Sequence, residues 1–541
     1  MKIQQDQAGS GPEDQFDAIV VGAGFAGLYM LHRLRGLGLT AKVYETGDDV
    51  GGTWYWNRYP GARCDVESLQ YSYSFSDELQ QEWQWTERYP AQAEILRYIN
   101  HVADKFDLRR DIQCKTRVES AQFDGTADLW RVRTDRGDRV AARFCIMATG
   151  ALSAARQPEI EGFETFRGTS FHTGRWPHEP VDFTGQRVAV IGTGSSGIQA
   201  IPVVAEQAAH LFVLQRSPNF SIPAWNVPLP AERQREWKAN YAQHRALART
   251  TRSGILYQYS DRGALDVTEA ARQIEFEARW ARGGANFTHA FNDIFSNKAS
   301  NDLAAEFVRG KIRSIVLNPA VAALLTPIDH PIGTKRICVD TNYFQTFNRN
   351  NVTLVDLRSS PIQEITPTGL RTRDHDLQLD SIIFATGYDA VTGAVARIDV
   401  RGRSGTVLKD KWAAGPRSYL GLMSHGYPNF FVITGPGSPS VLTNVIVAIE
   451  QHVEWISDCL AHMQRSGKSL IEPTLAAEDA WVDTVNEVAS GTLFTQAKSW
   501  YMGANIEGKP RVFLPYIGGF GKYSELCREV VAMGYRGFRF G

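Results

Sequence analysis

The 541 residues carry a formal net charge of −1, with 43% hydrophobic and 22% charged residues, a balance that supports an ordinary globular core and argues against disorder. The length allows about three or four domains, and the near-neutral charge gives no global pull toward nucleic acid or an anionic membrane. The six cysteines (Cys64, Cys114, Cys145, Cys338, Cys459 and Cys527) are scattered without a C-x-x-C pair, which argues against a zinc site, a dithiol redox centre and a disulfide scaffold, and fits free thiols in a reducing cytoplasm.

No apolar run reaches the roughly 18 residues of a spanning helix. Residues 1–15 are polar, lack the apolar core of a signal peptide, and read as a flexible tail. Residues 16–21 form a short apolar, β-branched run, expected as a buried strand. Gly22, Gly24 and Gly27 then complete a G-x-G-x-x-G, followed by Leu28, Leu31 and Leu34 at helical spacing and by a second strand over 41–45. At such a turn, backbone N–H groups and the helix dipole hold a pyrophosphate. Glu45 stands 18 residues after Gly27, where an acid accepts from ribose hydroxyls.

Residues 51–65 pack glycines, bulky aromatics, Arg58, Arg63 and Asp65 into one stretch. Glycines allow close backbone approach, aromatics make a rigid wall, and the charges are fixed beside it. The stretch is expected to line one face of a flavin; the alternative is a Gly/Pro-broken surface loop with a satisfied ion pair. Residues 102–150 read as strand-rich and end in Ala148-Thr149-Gly150, an ending repeated at Ala385-Thr386-Gly387. The repeat suggests two similar dinucleotide units. The second has a strand over 186–191, a second G-x-G-x-x-G over 192–197, a helix, and a strand over 211–215. Here Arg216, followed by Ser217, stands 19 residues after Gly197, and a cation there suits a 2′-phosphate. The first unit therefore suits FAD and the second NADPH.

Residues 166–177 link the units, and a lone His172 in a linker reads as a hydrogen-bonded structural group. Helical patterns are expected over 232–249, 268–282 and 301–310, within an insertion spanning about 228–326. Lys335 and Arg336 are adjacent cations beside apolar residues, either a solvated pair or one cation for phosphate and one for a developing anion. A strand over 430–433, a Gly/Pro-shaped loop over 434–444, an amphipathic helix over 450–463, and Trp500 beside small residues complete the chain.

With these motifs in place, the sequence resembles the type I Baeyer–Villiger monooxygenases. The family fingerprint F-x-G-x-x-x-H-x-x-x-W-P is matched over 166–177, and G-G-x-W-x-x-x-x-Y-P-G-x-x-x-D over 51–65. The resemblance implies an α/β fold with two dinucleotide-binding, Rossmann-like domains. The FAD domain would take 16–150 and 390–541, the NADPH domain 151–227 and 333–389, and a helical insertion 228–332. It implies that Arg336 stabilises the flavin peroxide anion with Asp65 as its carboxylate partner. Glu45, Thr53, Trp54, Asp65, Tyr71 and Val118 resemble FAD contacts. Arg63, Cys64, Thr193, Gly194, Ser195, Ser196, Gly197 and Gln199 resemble NADP contacts, as do Lys335, Arg216, Ser217 and Trp500. His172 would couple the domains. The implied reaction converts a ketone to an ester or lactone with NADPH and O2 through a peroxyflavin, without a metal. The loop 437–443 is similar to that of members accepting aryl or bulky ketones, which points to bulky cyclic, steroid-like or aromatic substrates. The expected protein is cytoplasmic, a monomer or weak homo-oligomer, with no nucleic-acid or membrane partner. Two other classes remain open: a nitrogen- or sulfur-oxidising flavin monooxygenase, and an NADPH oxidase-type flavoprotein that releases peroxide.

Overall fold

The structure, a computed structural model, describes residues 14–541. Most of the expected tail, residues 1–13, lies outside the described residues, while Asp14 and Gln15 already belong to β1 (Asp14–Val21). β1 pairs in parallel with β2 (Ala41–Tyr44), which pairs with β3 (Ile112–Gln113). β4 (Val118–Asp124) and β5 (Leu129–Thr134) form an antiparallel ribbon that joins β6 (Arg139–Met147), and β6 returns to the other side of β1. Residue 102, expected at the start of a strand-rich region, instead lies in the helix Gln92–Lys105, whose buried face carries Ile95, Tyr98, Ile99 and Val102 at helical spacing.

The second sheet is parallel throughout. It contains β7 (Thr169–His172), β8 (Arg187–Ile191) and β9 (His210–Gln215). β10 (Ser221–Pro223) leaves this sheet and pairs in parallel with β11 (Cys338–Asp340). The chain between β10 and β11 is mainly helical, so the insertion departs from and returns to one place. The expected helices over 232–249 and 301–310 appear as Ala231–Ala239, Tyr241–Ala248 and the longer Lys298–Ile315. A further helix, Pro319–Leu325, went unforeseen although its start is written in the sequence. Asn318 caps it by accepting from Ala320 and Val321 N–H, with proline at the first helical position.

β12 (Val352–Asp356) pairs with β9. β13 (Ile362–Thr366), β14 (Gly369–Thr372) and β15 (Asp376–Gln378) form a small antiparallel sheet, and β16 (Ser381–Phe384) enters between β8 and β7. The order is β12-β9-β8-β16-β7. The chain then re-enters the first sheet twice: β17 (Asp399–Arg401) pairs with β4, and β18 (Phe430–Val432) pairs with β6. β19 (Ile471–Pro473) and β20 (Phe538–Phe540) form a separate pair. The helix Val445–Ser466 is longer than the expected 450–463 and packs on Phe25–Gly36. Asn444 caps its start and Gly467, at φ +65°, ends it. Among the described residues, no helix is long and apolar enough to cross a membrane.

Candidate active site

The two glycine motifs are built alike, for a steric reason. A Cβ on Gly22 (φ +106°) would come within 2.6 Å of the Ala148 carbonyl oxygen, and one on Gly27 within 1.8 Å of the Gly22 carbonyl. In the second motif, Gly192 meets Ala385 at 2.5 Å and Gly197 meets Gly192 at 2.1 Å. The paired Ala-Thr-Gly strand ends are thus the surfaces against which the glycine turns pack. Gly24 and Gly194 start the helices Phe25–Gly36 and Ser195–Gln207, and neither helix has a side-chain cap at that end. Both therefore present first-turn N–H groups that a phosphate can accept. A Cβ on Gly194 would meet nothing within 4 Å, whereas one on Gly24 would approach Gly52 to 3.3 Å. The motif at 51–65 is folded against the first glycine turn.

Glu45 is buried, with its carboxylate accepting from the N–H groups of Ala23 (2.8 Å) and Gly47 (2.7 Å). Burial raises its pKa while these bonds oppose the rise. Backbone N–H groups, that of Thr46 among them, leave part of the carboxylate's acceptor capacity free, so a ribose hydroxyl can share it. Thr53 is exposed at the start of its helical turn, Trp54 is buried, and the Trp54 indole N–H donates to the Tyr71 hydroxyl at 3.1 Å. Val118 is a buried side chain of the core cluster that also contains Ile19, Val21 and Tyr44.

Asp65 and Arg336, 271 positions apart, form a bidentate pair: Nε donates to Oδ2 at 2.7 Å and Nη2 to Oδ1 at 2.8 Å. Nη1 donates to the Val441 carbonyl at 2.8 Å. Arg336 stands just before β11, and its own carbonyl accepts from Asn219 at 3.2 Å. Burial alone would raise the Asp65 carboxyl, but the Arg336 charge and hydrogen bonds hold it below its ordinary value. Burial would lower the guanidinium, and Asp65 more than offsets this. The pair lines a solvent-connected cavity of about 130 Å³, walled largely by Ile255, Tyr257, Phe295, Phe494, Tyr516 and Phe520.

Lys335 and Arg216 come together on the second unit. Burial lowers the Lys335 pKa, Asp329 opposes this, and Arg216 lowers it further by like charge. Lys335 reaches Asp329 only at 3.9 Å, and Arg216 has no carboxylate within ion-pair distance among the described residues. Ser217 offers its carbonyl to the Thr193 hydroxyl at 3.2 Å. Gln199 ties the two units together. It accepts from the Tyr59 hydroxyl (2.9 Å) and donates to the Arg63 carbonyl (3.1 Å). The Arg63 guanidinium itself is held by Glu87 and the Tyr89 carbonyl, both at 2.6 Å. Cys64 is buried, and burial pushes its thiol well up. The Ser195 hydroxyl faces the Cys338 thiol at 3.5 Å, and Ser196 lies beside the Tyr59 hydroxyl. Trp500 packs its ring 4.2 Å from that of Tyr501. Two uncapped helix starts, a buried ribose-side acid and a paired-cation site together fit FAD and NADPH.

The sequence matches the pyridine nucleotide-disulphide oxidoreductase family over residues 19–239. A Baeyer-Villiger monooxygenase of Pseudooceanicola batsensis is 43% identical over 99% of this chain and 98% of its own. A solved oxidized steroid monooxygenase bound to NADP superposes with a TM-score of 0.94 at 53% identity, covering 97% of this chain and 99% of that one. The chain belongs to the type I Baeyer–Villiger monooxygenases. This monooxygenase is an FAD-containing, NADPH-dependent α/β enzyme. A phenazine N-monooxygenase of Lysobacter antibioticus is also 41% identical, over 97% of this chain and 96% of its own.

Several residues of the monooxygenase site escaped sequence reasoning. Tyr501 lies against Arg336; burial pushes its hydroxyl up to about 12 while Arg336 pulls the other way. Its position beside Trp500 was the available signal. Tyr257, Arg252 and His289 reach the cavity from the insertion, where helical periodicity says nothing about which loop turns inward. His172 is a hydrogen-bonded group apart from the Arg336 pair. Its Nδ1 accepts from Gly174 N–H (3.0 Å), so Nε2–H donates to the Arg156 carbonyl (3.0 Å). Arg156 in turn donates to the Asn505 carbonyl at 2.6 Å, linking the fingerprint to the segment after Trp500.

Proposed function

We propose that this enzyme inserts one oxygen atom of O2 beside the carbonyl of a bulky cyclic, steroid-like or aryl ketone, with Arg336 as the catalytic cation and Asp65 as its partner. The balanced reaction consumes ketone, O2, NADPH and a proton, and yields ester or lactone, NADP+ and water. Bound FAD supplies hydride acceptance from NADPH and the activation of dioxygen. The observation that carries the assignment is the bidentate Arg336–Asp65 pair on the cavity wall. Three of the five guanidinium N–H groups serve Asp65 and Val441, which leaves one on each terminal nitrogen for the Tyr501 hydroxyl or for a ligand oxygen. Arg336 cannot lose its proton at working pH, so it stabilises negative charge developing on a ketone oxygen without quenching it as an acid.

Arg216, Ser217 and Lys335 would hold the 2′-phosphate of NADPH, with Thr193 to Gln199 along its pyrophosphate and Arg63, Cys64 and Trp500 beside the nicotinamide half. Gly22, Gly24, Gly27, Glu45, Thr53, Trp54, Tyr71 and Val118 would hold FAD. The FAD domain would comprise 16–150 and 390–541, and the NADPH domain 151–227 and 333–389, with 228–332 inserted. The sheet pairings of β17 and β18 with β4 and β6 support this division. Six unpaired cysteines suit a cytoplasmic enzyme, acting as a monomer or weak homo-oligomer.

The aromatic cavity favours ring ketones and leaves room for an organic substrate, which disfavours a dedicated peroxide-releasing oxidase. Kinship with a named N-monooxygenase favours one second reading, oxidation of a ring nitrogen. Incubation of the FAD-loaded enzyme with NADPH and a panel of cyclic, aryl and steroid ketones separates the two. Ester or lactone is the expected product. N-oxide from heteroaromatics with no ester from any ketone would replace this reading with the other.

A further inference from the structure

The cavity wall carries a second arginine, Arg252, which the reaction chemistry does not use. Nearby arginines of the insertion are committed. Arg249 binds Glu454 through both terminal nitrogens at 2.8 and 2.7 Å, and Arg245 donates to Gln80, the Gln70 carbonyl and Ser72. The Arg252 guanidinium has no carboxylate within ion-pair distance among the described residues. It lies over the Phe295 ring, 5.6 Å from the ring centroid. The position is firmly built, since Phe520 N–H donates to the Arg252 carbonyl and Asn444 N–H to the Ser253 carbonyl, both at 2.8 Å. The other titratable groups facing it do not neutralise it. His289 is held neutral, at about 3, by burial and then by the charges of Arg252 and Arg279, and Tyr259 is a protonated phenol. The one carboxylate on the cavity wall, Asp65, is occupied by Arg336. The cavity therefore holds two guanidinium groups against one carboxylate. The Arg252 side chain is exposed to solvent where it borders the cavity, so its guanidinium is free to pair with an anion that a ligand carries in.

We propose that Arg252 anchors an anionic group of the substrate, so that the preferred substrates are ketones carrying a carboxylate, or a comparable anion, at a distance from the carbonyl. This rests on the ketone-oxidising reading above. Arg252 forms a charge-assisted and potentially bidentate contact with that group, while Arg336 addresses the carbonyl.

The test compares matched pairs, the same ring ketone as its free carboxylate and as its methyl ester, at several spacer lengths, in wild type, Arg252→Gln and Arg252→Lys. The expected result is a carboxylate preference in kcat/KM at one spacer length. Arg252→Gln lowers turnover of the carboxylate about 10- to 100-fold, leaves the ester within about two- to threefold, and leaves the KM for NADPH unchanged, while Arg252→Lys retains part of the preference. An equal carboxylate-to-ester ratio in wild type and Arg252→Gln overturns the proposal. So does an equal loss on both substrates, or an effect confined to NADPH. A second readout does not require turnover: binding of phenylbutyrate and cyclohexylacetate to the oxidised, NADP+-bound enzyme, followed by the flavin spectrum. A Kd raised about tenfold or more in Arg252→Gln supports the anion site even where no ketone is oxygenated, which would then count against the ketone reading alone. An unchanged Kd removes the anion site.

Discussion

Arg336 is oriented from three sides: Asp65 takes two N–H groups, Val441 a third, and Asn219 fixes the backbone behind it. Replacing Asp65 by Asn keeps the shape but removes the charge and one acceptor. Charge-assisted hydrogen bonds are worth about 1.5–3 kcal/mol, so Asp65→Asn is expected to slow oxygenation about 10- to 100-fold while FAD stays bound, as read by product formation per NADPH consumed. The pH dependence has a definite sign. The Asp65 carboxyl lies below its ordinary value in the folded protein, so its stabilising contribution is fully present above the ordinary carboxylate range, about pH 4. It is lost only as pH falls through the lower folded value. Any acid limb between pH 5 and 7 in the rate profile therefore belongs to another group. At the second unit, Arg216 and Lys335 are adjacent like charges that a 2′-phosphate would relieve. Arg216→Ala is expected to raise the KM for NADPH about 10- to 100-fold and to leave that for NADH nearly unchanged; equal effects on both coenzymes would remove Arg216 from the phosphate site.

At the level of elements, the glycine motifs were legible in the sequence because their geometry is local: strand, turn and helix lie within about 30 residues. The second motif separates steric from ligand-facing glycines. Gly197→Ala would drive a methyl to 2.1 Å from the Gly192 carbonyl and is expected to abolish soluble folded protein. Gly194→Ala meets open space and is expected to fold with normal thermal stability and FAD content while losing NADPH affinity. Measuring melting temperature and coenzyme KM for both variants checks the contrast. The helix Val445–Ser466 carries a different device. His452 is fully buried, its Nδ1 accepts from Thr434 N–H at 2.9 Å, and its Nε2–H donates to the Tyr523 hydroxyl at 2.8 Å. Burial pushes it down to about 3. With an unfolded value near 6.5, the unfolded chain takes up a proton between pH 6.5 and 3 that the folded chain does not. Stability is therefore full above 6.5 and falls with acidification by about 1.4 kcal/mol per pH unit from this residue. His452→Gln is expected to show a flatter melting temperature between pH 7 and 5 than wild type; parallel curves would contradict this.

Across the whole molecule, what could not be read from the sequence is what depends on distant segments meeting. The identities of Arg336 and Asp65 were visible from motifs, but their pairing joins residues 271 positions apart and is produced by the return of the chain at β11 beside β10. Tyr257, Arg252 and His289 lie in irregular stretches of the insertion, where no periodicity marks an inward side chain. The helix start at Asn318-Pro319, by contrast, is a local signal that the sequence itself carries. The strands β17 and β18 are three residues each and acquire meaning only through the sheet they complete.

Arg336 is assigned to oxygen insertion within a cavity that takes both cofactor and ketone. Stopped-flow measurement of the two half-reactions in wild type and Arg336→Ala tests this assignment most directly. With FAD bound and NADPH added without oxygen, the variant is expected to reduce its flavin at a rate within about tenfold of wild type. On mixing with oxygen and ketone it should then form ester at a rate lower by a factor on the order of 10² or more, with hydrogen peroxide released instead. Ester formation by Arg336→Ala at the wild-type rate would remove Arg336 from oxygen insertion.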